Sequence, residues 1–176
     1  MFIAAKELEQ HALRIAQRFA PGTIDYRTRE FRQLGVLASE VVAELDGRDI
    51  RIAGHLETQV ELSCARCLEL VAHDVSANFD LRYRPVASIA REEEITLAQE
   101  DTEVGFYTGS GLFLADVVAE QVHLVLPMKP LCRDDCRGLC PECGVNLNRG
   151  SCGCQRTSVD PRLAPLADWK RRRKDS

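Results

Sequence analysis

The sequence lacks any long apolar run. No segment approaches the roughly 18 consecutive apolar residues that a membrane-spanning helix needs. At the N-terminus, charge appears at Lys6, Glu7 and Glu9, before the apolar segment of a signal peptide could form. We therefore expect a soluble, cytoplasmic protein with no membrane partner.

Catalytic motifs are missing as well. The chain has no nucleophile elbow, no glycine-rich phosphate loop and no dinucleotide fingerprint. No set of histidine, lysine and carboxylate residues has the spacing of a ribonuclease site. The formal net charge is −4 for 176 residues, which argues against a generally basic coat for nucleic acid. We expect no enzymatic activity and no small-molecule substrate.

The clearest pattern present is a period of two. Apolar residues occupy most even positions from Ile50 to Cys64, and a second alternating run extends from Val71 to Tyr83. Such alternation predicts strands with one buried face. The segment SCARCLEL joins the two runs, so the sequence predicts a long antiparallel hairpin with Cys64 and Cys67 at its tip.

Eight cysteines are the strongest chemical signal. In a reducing compartment they suit metal binding or redox chemistry better than disulfides. Cys140-Pro-Glu-Cys143-Gly has the form of a zinc knuckle, because two thiolates so spaced can reach one ion at ~2.3 Å and the glycine permits a tight turn. Cys152 and Cys154, across an eight-residue loop, would supply the other two ligands.

The other four cysteines form two pairs, Cys64/Cys67 and Cys132/Cys136. Because eight thiols divide into two tetrahedra, we hypothesise a second all-cysteine site that joins the hairpin tip to the cysteine-rich segment. The protein would then hold one or two Zn²⁺ ions. All-thiolate sites leave no open coordination position, so the metal would be structural. Iron–sulfur ligation and other groupings of the thiols stay open.

The remaining patterns define the expected fold class, which is α+β. We expect an antiparallel-strand-rich domain with a long hairpin, one or two helices and a small C-terminal zinc-binding module. Asp46-Gly47 predicts a turn between two strands, and Pro127 ends a predicted helix at 112–126. The expected parts are a helical N-terminal segment (1–30), a β-rich core (31–130) with an acidic loop at 86–103 and a short strand at 104–107, a zinc module (131–168) and a basic tail (169–176).

The tail combines one aromatic residue with five cations. Trp169 can stack on an unpaired base, and phosphate contacts by lysine and arginine dominate affinity for nucleic acids. The candidate RNA-binding residues are Trp169, Lys170, Arg171, Arg172, Arg173 and Lys174. The alternative is a solubilising tail with Trp169 packed against the rest of the protein.

Three segments together resemble the YceD family of bacteria and plastids, the large ribosomal RNA subunit accumulation proteins. They are ELSCARCLEL (61–70), LPMKPLCRDDCRGLCPECGVNLNRGSCGC (126–154) and DPRLAPLADWK (160–170). The resemblance implies a non-enzymatic role in the accumulation, processing or assembly of large-subunit ribosomal RNA. Its partner would be ribosomal RNA, the pre-ribosomal large subunit or a ribosomal protein. It implies no catalytic residue and assigns no role to the basic tail.

Two other classes of function stay open. A thiol-redox protein would use Cys64 and Cys67, because a Cys-x-x-Cys thiolate becomes reactive when its pKa falls. A protein-interaction adaptor would use the hairpin and the zinc module without touching RNA.

Overall fold

The computed structural model of the chain describes residues 1–88, 104–154 and 162. This part of the chain has an α+β fold with a mostly antiparallel sheet, as the alternating runs predict. Its elements are, in order, β1 (Phe2–Ala4), α1 (Ala5–Leu8), β2 (Leu13–Phe19), β3 (Phe31–Gln33), β4 (Leu37–Asp46), β5 (Asp49–Ser63), β6 (Leu70–Pro85), a 3₁₀ turn (Val86–Ser88), β7 (Val104–Tyr107), β8 (Gly111–Phe113) and α2 (Leu114–Val125).

The larger sheet has six described strands in the order β2-β4-β5-β6-β7, with β3 paired to the far end of β5. β5 and β6 form the long hairpin, with Ile50 opposite Tyr83 at one end and Ser63 opposite Leu70 at the other. β7 differs from its neighbours because it runs parallel to β6. β1 and β8 form a separate two-stranded sheet. The predicted hairpin and the short strand at 104–107 are confirmed.

The core lies on the face of the sheet that the even positions of β5 occupy. Ile50, Ile52, Leu56 and Val60 are completely buried there. α2 adds its own buried side chains to the same cluster, among them Val118. Burying one such side chain is worth about 1.5–3 kcal/mol, so the alternation of the hairpin supplies much of the stability of this sheet.

Gly54 allows β4 and β5 to approach closely. A Cβ atom at this position would overlap the carbonyl oxygen of Glu40 and lie 2.8 Å from the Cα atom of Val41. Only glycine therefore fits the register that places Val41 opposite Gly54.

The prediction of a helical N-terminal segment is wrong. Helix α1 is a single turn, and Leu13–Phe19 forms β2, which pairs with β4. Leu13, Ala16 and Phe19 are spaced as on one helix face, which favours a helix, whereas Leu13, Ile15 and Phe19 fit a period of two. Pairing with a long neighbouring strand decides between the two structures. The predicted helix at 112–126 begins at Leu114, because residues 112 and 113 belong to β8.

The chain divides into two units. The first comprises Met1–Ala65 and Glu69–Cys132, and the second comprises Arg66–Leu68 and the chain from Arg133 onward. Among the described residues, all 24 members of the apolar core belong to the first unit. In the described part of the second unit, the buried hydrophobic side chains are all cysteines, namely Cys67, Cys136 and Cys140. The second unit therefore needs another source of stability.

Several predictions concern residues that the structure does not describe. The acidic loop lies outside the described residues apart from the turn Val86–Ser88, and so does the basic tail. The predicted boundaries of the zinc module and the tail stay predictions. Neither of the two described helices has the length and apolar character needed to cross a membrane.

Candidate metal centres

The structure gathers the eight cysteines into two groups of four. In each group the four sulfur atoms all lie within 4.8 Å of one another. The first group comprises Cys140, Cys143, Cys152 and Cys154, and the second comprises Cys64, Cys67, Cys132 and Cys136. All eight are free thiols rather than disulfides. Each group could hold a metal ion.

A tight turn positions the first two thiols of the first group. The N–H of Gly144 donates to the carbonyl of Cys140 (2.8 Å), and the N–H of Cys140 donates to the carbonyl of Val145 (2.9 Å). Gly144 has a φ of 73°, a left-handed conformation that glycine adopts without a steric penalty. The sequence motif Cys-x-x-Cys-Gly therefore folds as the knuckle that its spacing predicts.

The loop after the knuckle reverses the chain toward the other two thiols. Leu139 and Asn146 form an isolated antiparallel bridge. The N–H of Leu147 donates to the carbonyl of Gly138 (2.9 Å), and the N–H of Arg149 donates to the carbonyl of Asn146 (3.1 Å). These backbone bonds account for the return of the chain, which brings Cys152 and Cys154 to the knuckle.

The four thiols of the first group influence one another electrostatically. Backbone hydrogen bonds from Cys143 and Glu142, with a side-chain hydrogen bond from Cys152, lower the pKa of Cys140 to about 6. Hydrogen bonding with Cys143, and with Cys152, raises the pKa of Cys154 to about 12. Without a metal ion, the group therefore favours one thiolate and disfavours deprotonation of a further thiol. A bound dication would favour deprotonation of all four thiols, because it stabilises every thiolate that contacts it.

The second group is more deeply buried than the first. The relative exposure of Cys64 is 0% and that of Cys67 is 4%, whereas Cys143 and Cys154 are exposed. The N–H of Cys64 donates to the carbonyl of Glu69 (2.8 Å) across the hairpin tip. Leu68, directly after the Cys-x-x-Cys motif, has a φ of 62°. A left-handed leucine is strained, and it occupies the place that Gly144 has in the first group.

Arg66 has a structural part that sequence reasoning missed. Its guanidinium donates to the carbonyls of Asp134 (3.1 Å) and Cys136 (2.8 Å). Its own carbonyl accepts the N–H of Leu139 (3.1 Å). Gly138 belongs to the same contact, since a Cβ atom there would lie 3.0 Å from the carbonyl oxygen of Arg66. No spacing rule reveals these contacts, because they depend on the folded path of the chain.

Asn148 is a second residue whose contacts the sequence did not reveal. Its side-chain oxygen accepts the N–H of Arg137 (2.8 Å), and its side-chain nitrogen donates to the sulfur of Cys136 (3.2 Å). A hydrogen bond of this kind orients a thiolate and stabilises its charge. Asn148 therefore contacts the thiol environment without being a ligand.

The structure groups the thiols as the sequence pairing proposed. That these thiols ligate zinc, and that two ions are bound, stay predictions. The candidate RNA-binding residues 169–174 lie outside the described residues.

Comparison with known proteins identifies the family to which the chain belongs. Residues 52–170 match the model of the large ribosomal RNA subunit accumulation protein YceD. The chain belongs to this family. The matched region begins in β5 and includes all eight cysteines, so the resemblance seen in three short segments extends over most of the chain.

Relatives occur in bacteria and plants. An uncharacterized protein of Mycobacterium tuberculosis is 29% identical over 149 residues, which cover 85% of this chain and 69% of that protein. The chloroplastic large ribosomal RNA subunit accumulation protein YCED homolog 1 of Zea mays is 30% identical, with coverage of 84% and 57%. Its Arabidopsis thaliana counterpart is 22% identical, with coverage of 70% and 45%. No solved structure matches the chain.

Proposed function

We propose that this protein is a non-enzymatic factor that supports the accumulation, processing or assembly of large-subunit ribosomal RNA. Membership of the YceD family carries the proposal, because the matched region includes the hairpin from residue 52 onward and both groups of thiols. The names of the plant relatives refer to accumulation of the large ribosomal RNA subunit. The cytoplasmic location expected from the sequence belongs to the same proposal.

Each group of four thiols would hold one structural Zn²⁺ ion. Four sulfur ligands complete a tetrahedron around zinc and leave no position for water or substrate. Neither group includes a histidine or a carboxylate, the ligands that catalytic zinc sites commonly use. Bound zinc would therefore supply folding energy to the second unit rather than chemistry.

Burial of the second group argues against the redox alternative. Reactive cysteines are partly exposed, because thiol exchange needs access to the attacking sulfur. Cys64 and Cys67 are buried, and their sulfur atoms lie within 4.8 Å of those of Cys132 and Cys136. This arrangement supports metal ligation over disulfide exchange at the hairpin tip.

Contact with RNA would come from the basic tail rather than from the outer face of the sheet. Arg51 contacts Glu44 and Asp80 on that face, and Arg82 pairs with Asp46. Phosphate would have to compete with these carboxylates. Residues 170–174 are five consecutive cations with one carboxylate on each side, Asp168 and Asp175. This excess of positive charge supports the tail as the RNA contact.

Crosslinking in cells tests the proposal. Ultraviolet crosslinking followed by sequencing is expected to give a peak in large-subunit ribosomal RNA. Depletion of the protein is expected to lower the ratio of large-subunit to small-subunit ribosomal RNA. Replacing the five cations of residues 170–174 with glutamine should remove the peak, whereas replacing Arg14 and Arg18 of β2 should leave it.

The two readouts separate the parts of the proposal. A depletion phenotype without a crosslink would favour the adaptor alternative, in which a ribosomal protein is the partner. An unchanged ratio of the two ribosomal RNAs after depletion would contradict the ribosomal function itself.

A further inference from the structure

A cleft in the first unit collects aromatic side chains from distant parts of the chain. It has a volume of about 530 Å³ and lies between β7, β8 and the start of α2. The aromatic cleft, as we name it, is lined by half of the phenylalanine, tyrosine and tryptophan residues of the chain, namely Phe2, Tyr83, Phe106, Tyr107 and Phe113. Such a concentration does not follow from packing of the core alone.

Three of these rings are open to solvent. The relative exposure is 39% for Phe2, 52% for Phe106 and 56% for Phe113. The rings of Phe2 and Phe113 pack against each other with their centroids 5.0 Å apart. Exposed aromatic side chains that gather at one place are typical of interaction sites.

Two glycines allow the walls of the cleft to form. A Cβ atom on Gly105 would lie 2.8 Å from the ring of Tyr83, and one on Gly111 would overlap the carbonyl oxygen of Ile3. Gly105 thus lets the Tyr83 ring lie against β7, and Gly111 lets β8 approach β1. The backbone on both sides of the cleft is held by sheet pairing.

The charged side chains that line the aromatic cleft are both acidic. Asp116 and Glu120 lie four residues apart on α2, where like charges repel. The hydroxyl of Tyr83 donates to Glu120 (3.3 Å), which fixes that carboxylate at the wall. Asp116 forms no hydrogen bond or ion pair with the part of the chain that the structure describes. The described lining includes no lysine, arginine or histidine.

We propose that the aromatic cleft docks an arginine-bearing basic segment of a partner protein. A guanidinium is planar, so it stacks on an aromatic ring while its N–H groups donate to carboxylates. Phe106 and Phe113 supply exposed rings, and Asp116 and Glu120 supply the acceptors. The same carboxylates repel phosphate, which excludes RNA as the occupant. We make this assignment independently of the function proposed above.

Titration with a matched pair of peptides tests the assignment. The probes are a synthetic peptide of alternating arginine and leucine and the same peptide with citrulline, a neutral isostere, in place of each arginine. Backbone amide NMR shifts in residues 104–120 of the full chain are expected with the arginine peptide. The citrulline peptide should bind at least about threefold more weakly, in keeping with exposed ion pairs and cation–π contacts.

Substitutions at the aromatic cleft test whether the peptides bind there. Asp116→Asn with Glu120→Gln should remove the preference for arginine, and Phe106→Ala should weaken both peptides. Glu57→Gln, which changes an exposed carboxylate on the outer face of β5, is the matched control and should change neither. All the substituted side chains are exposed, so the thermal midpoint should stay constant.

Three results of these ligand titrations would overturn the proposal. They are the absence of shifts at residues 104–120, equal affinity for the two peptides, and stronger shifts at these residues with a uridine oligonucleotide. Shifts that appear on raising the protein concentration alone would assign the cleft to a second copy of the chain and would overturn it as well.

Discussion

The two units of this protein are stabilised in different ways. The described part of the first unit buries 24 apolar residues between the β5–β6 hairpin, its neighbouring strands and α2. The described part of the second unit buries cysteines in their place. In the first unit, stability follows from the alternation of apolar and polar residues. In the second, buried cysteines take the place of an apolar core, and we propose that its stability depends on the metal that the sulfur atoms would bind.

This contrast explains why the sequence shows alternating apolar residues in the first unit and closely spaced cysteines in the second. A unit that folds by apolar burial tolerates many substitutions of similar size. A unit that folds around metal needs every ligand and the few turns that direct them. The left-handed residues Leu68 and Gly144, each directly after a Cys-x-x-Cys motif, are such turns.

Removing metal should have the largest effect, and it should affect the two units differently. A strong chelator is expected to abolish hydrogen-exchange protection throughout residues 133–154 while β5 and β6 keep theirs. The reason is that structural zinc contributes about 10–16 kcal/mol in small zinc domains. Hydrogen exchange followed by mass spectrometry measures both regions in one sample.

Two further observations control that experiment. Zn²⁺ should restore protection, whereas Mg²⁺, which prefers oxygen ligands, should not. Protection of residues 133–154 that survives complete removal of metal would contradict a metal-dependent second unit.

A cavity in the sheet core should affect the first unit alone. Leu56→Ala removes most of a fully buried side chain and is expected to lower the free energy of unfolding by about 3 kcal/mol. Val42→Ala, at a position that is 36% exposed on the neighbouring strand, is the control and should cost far less. Denaturant titration followed by circular dichroism measures both. Equal losses would show that Leu56 is not part of a packed core.

A methyl group at Gly54 should force β4 and β5 apart. Gly54→Ala is expected to destabilise the first unit by about 2 kcal/mol, as overpacking of a close contact does. Gly35→Ala is the matched control, because a Cβ atom there would have its nearest neighbour 3.5 Å away. It should change stability by less than about 1 kcal/mol. A neutral Gly54→Ala would contradict the close approach of these strands.

The smallest expected effect is at Asn148. Asn148→Asp keeps an oxygen to accept the N–H of Arg137 but loses the donor to the Cys136 sulfur and adds negative charge beside it. We expect about tenfold weaker metal affinity, as for other residues that orient ligands. Competition with a chromophoric chelator measures this, with the exposed Glu142→Gln as control. A metal affinity within about twofold of that of the unsubstituted protein would show that Asn148 does not contribute to metal binding.

The hairpin and the pairing of thiols could be predicted because each depends on local spacing. Alternation from Ile50 to Cys64 requires one buried face, and a Cys-x-x-Cys motif directs two sulfur atoms to one point. The strand at 13–19 could not be predicted, because its apolar residues fit both a helical spacing (Leu13, Ala16, Phe19) and a period of two (Leu13, Ile15, Phe19). Pairing with β4 decides the matter, and that is a tertiary effect.

Other features depend on contacts between residues that are far apart in the sequence. The guanidinium of Arg66 contacts the carbonyls of Asp134 and Cys136, 68 and 70 residues away. The parallel pairing of β7 with β6 follows a connection of some length, which no turn motif specifies. The aromatic cleft likewise joins Phe2 to Phe113. Such features appear only once the topology is known.

Native mass spectrometry of the intact chain, purified from cells supplied with zinc, counts the bound metal ions directly. We predict two Zn²⁺ ions per chain, one for each group of four sulfur atoms. Cys140→Ser with Cys143→Ser should leave one ion, and so should Cys64→Ser with Cys67→Ser. A chain that carries no zinc, or a single ion that both double variants lose, would contradict two independent four-thiol centres.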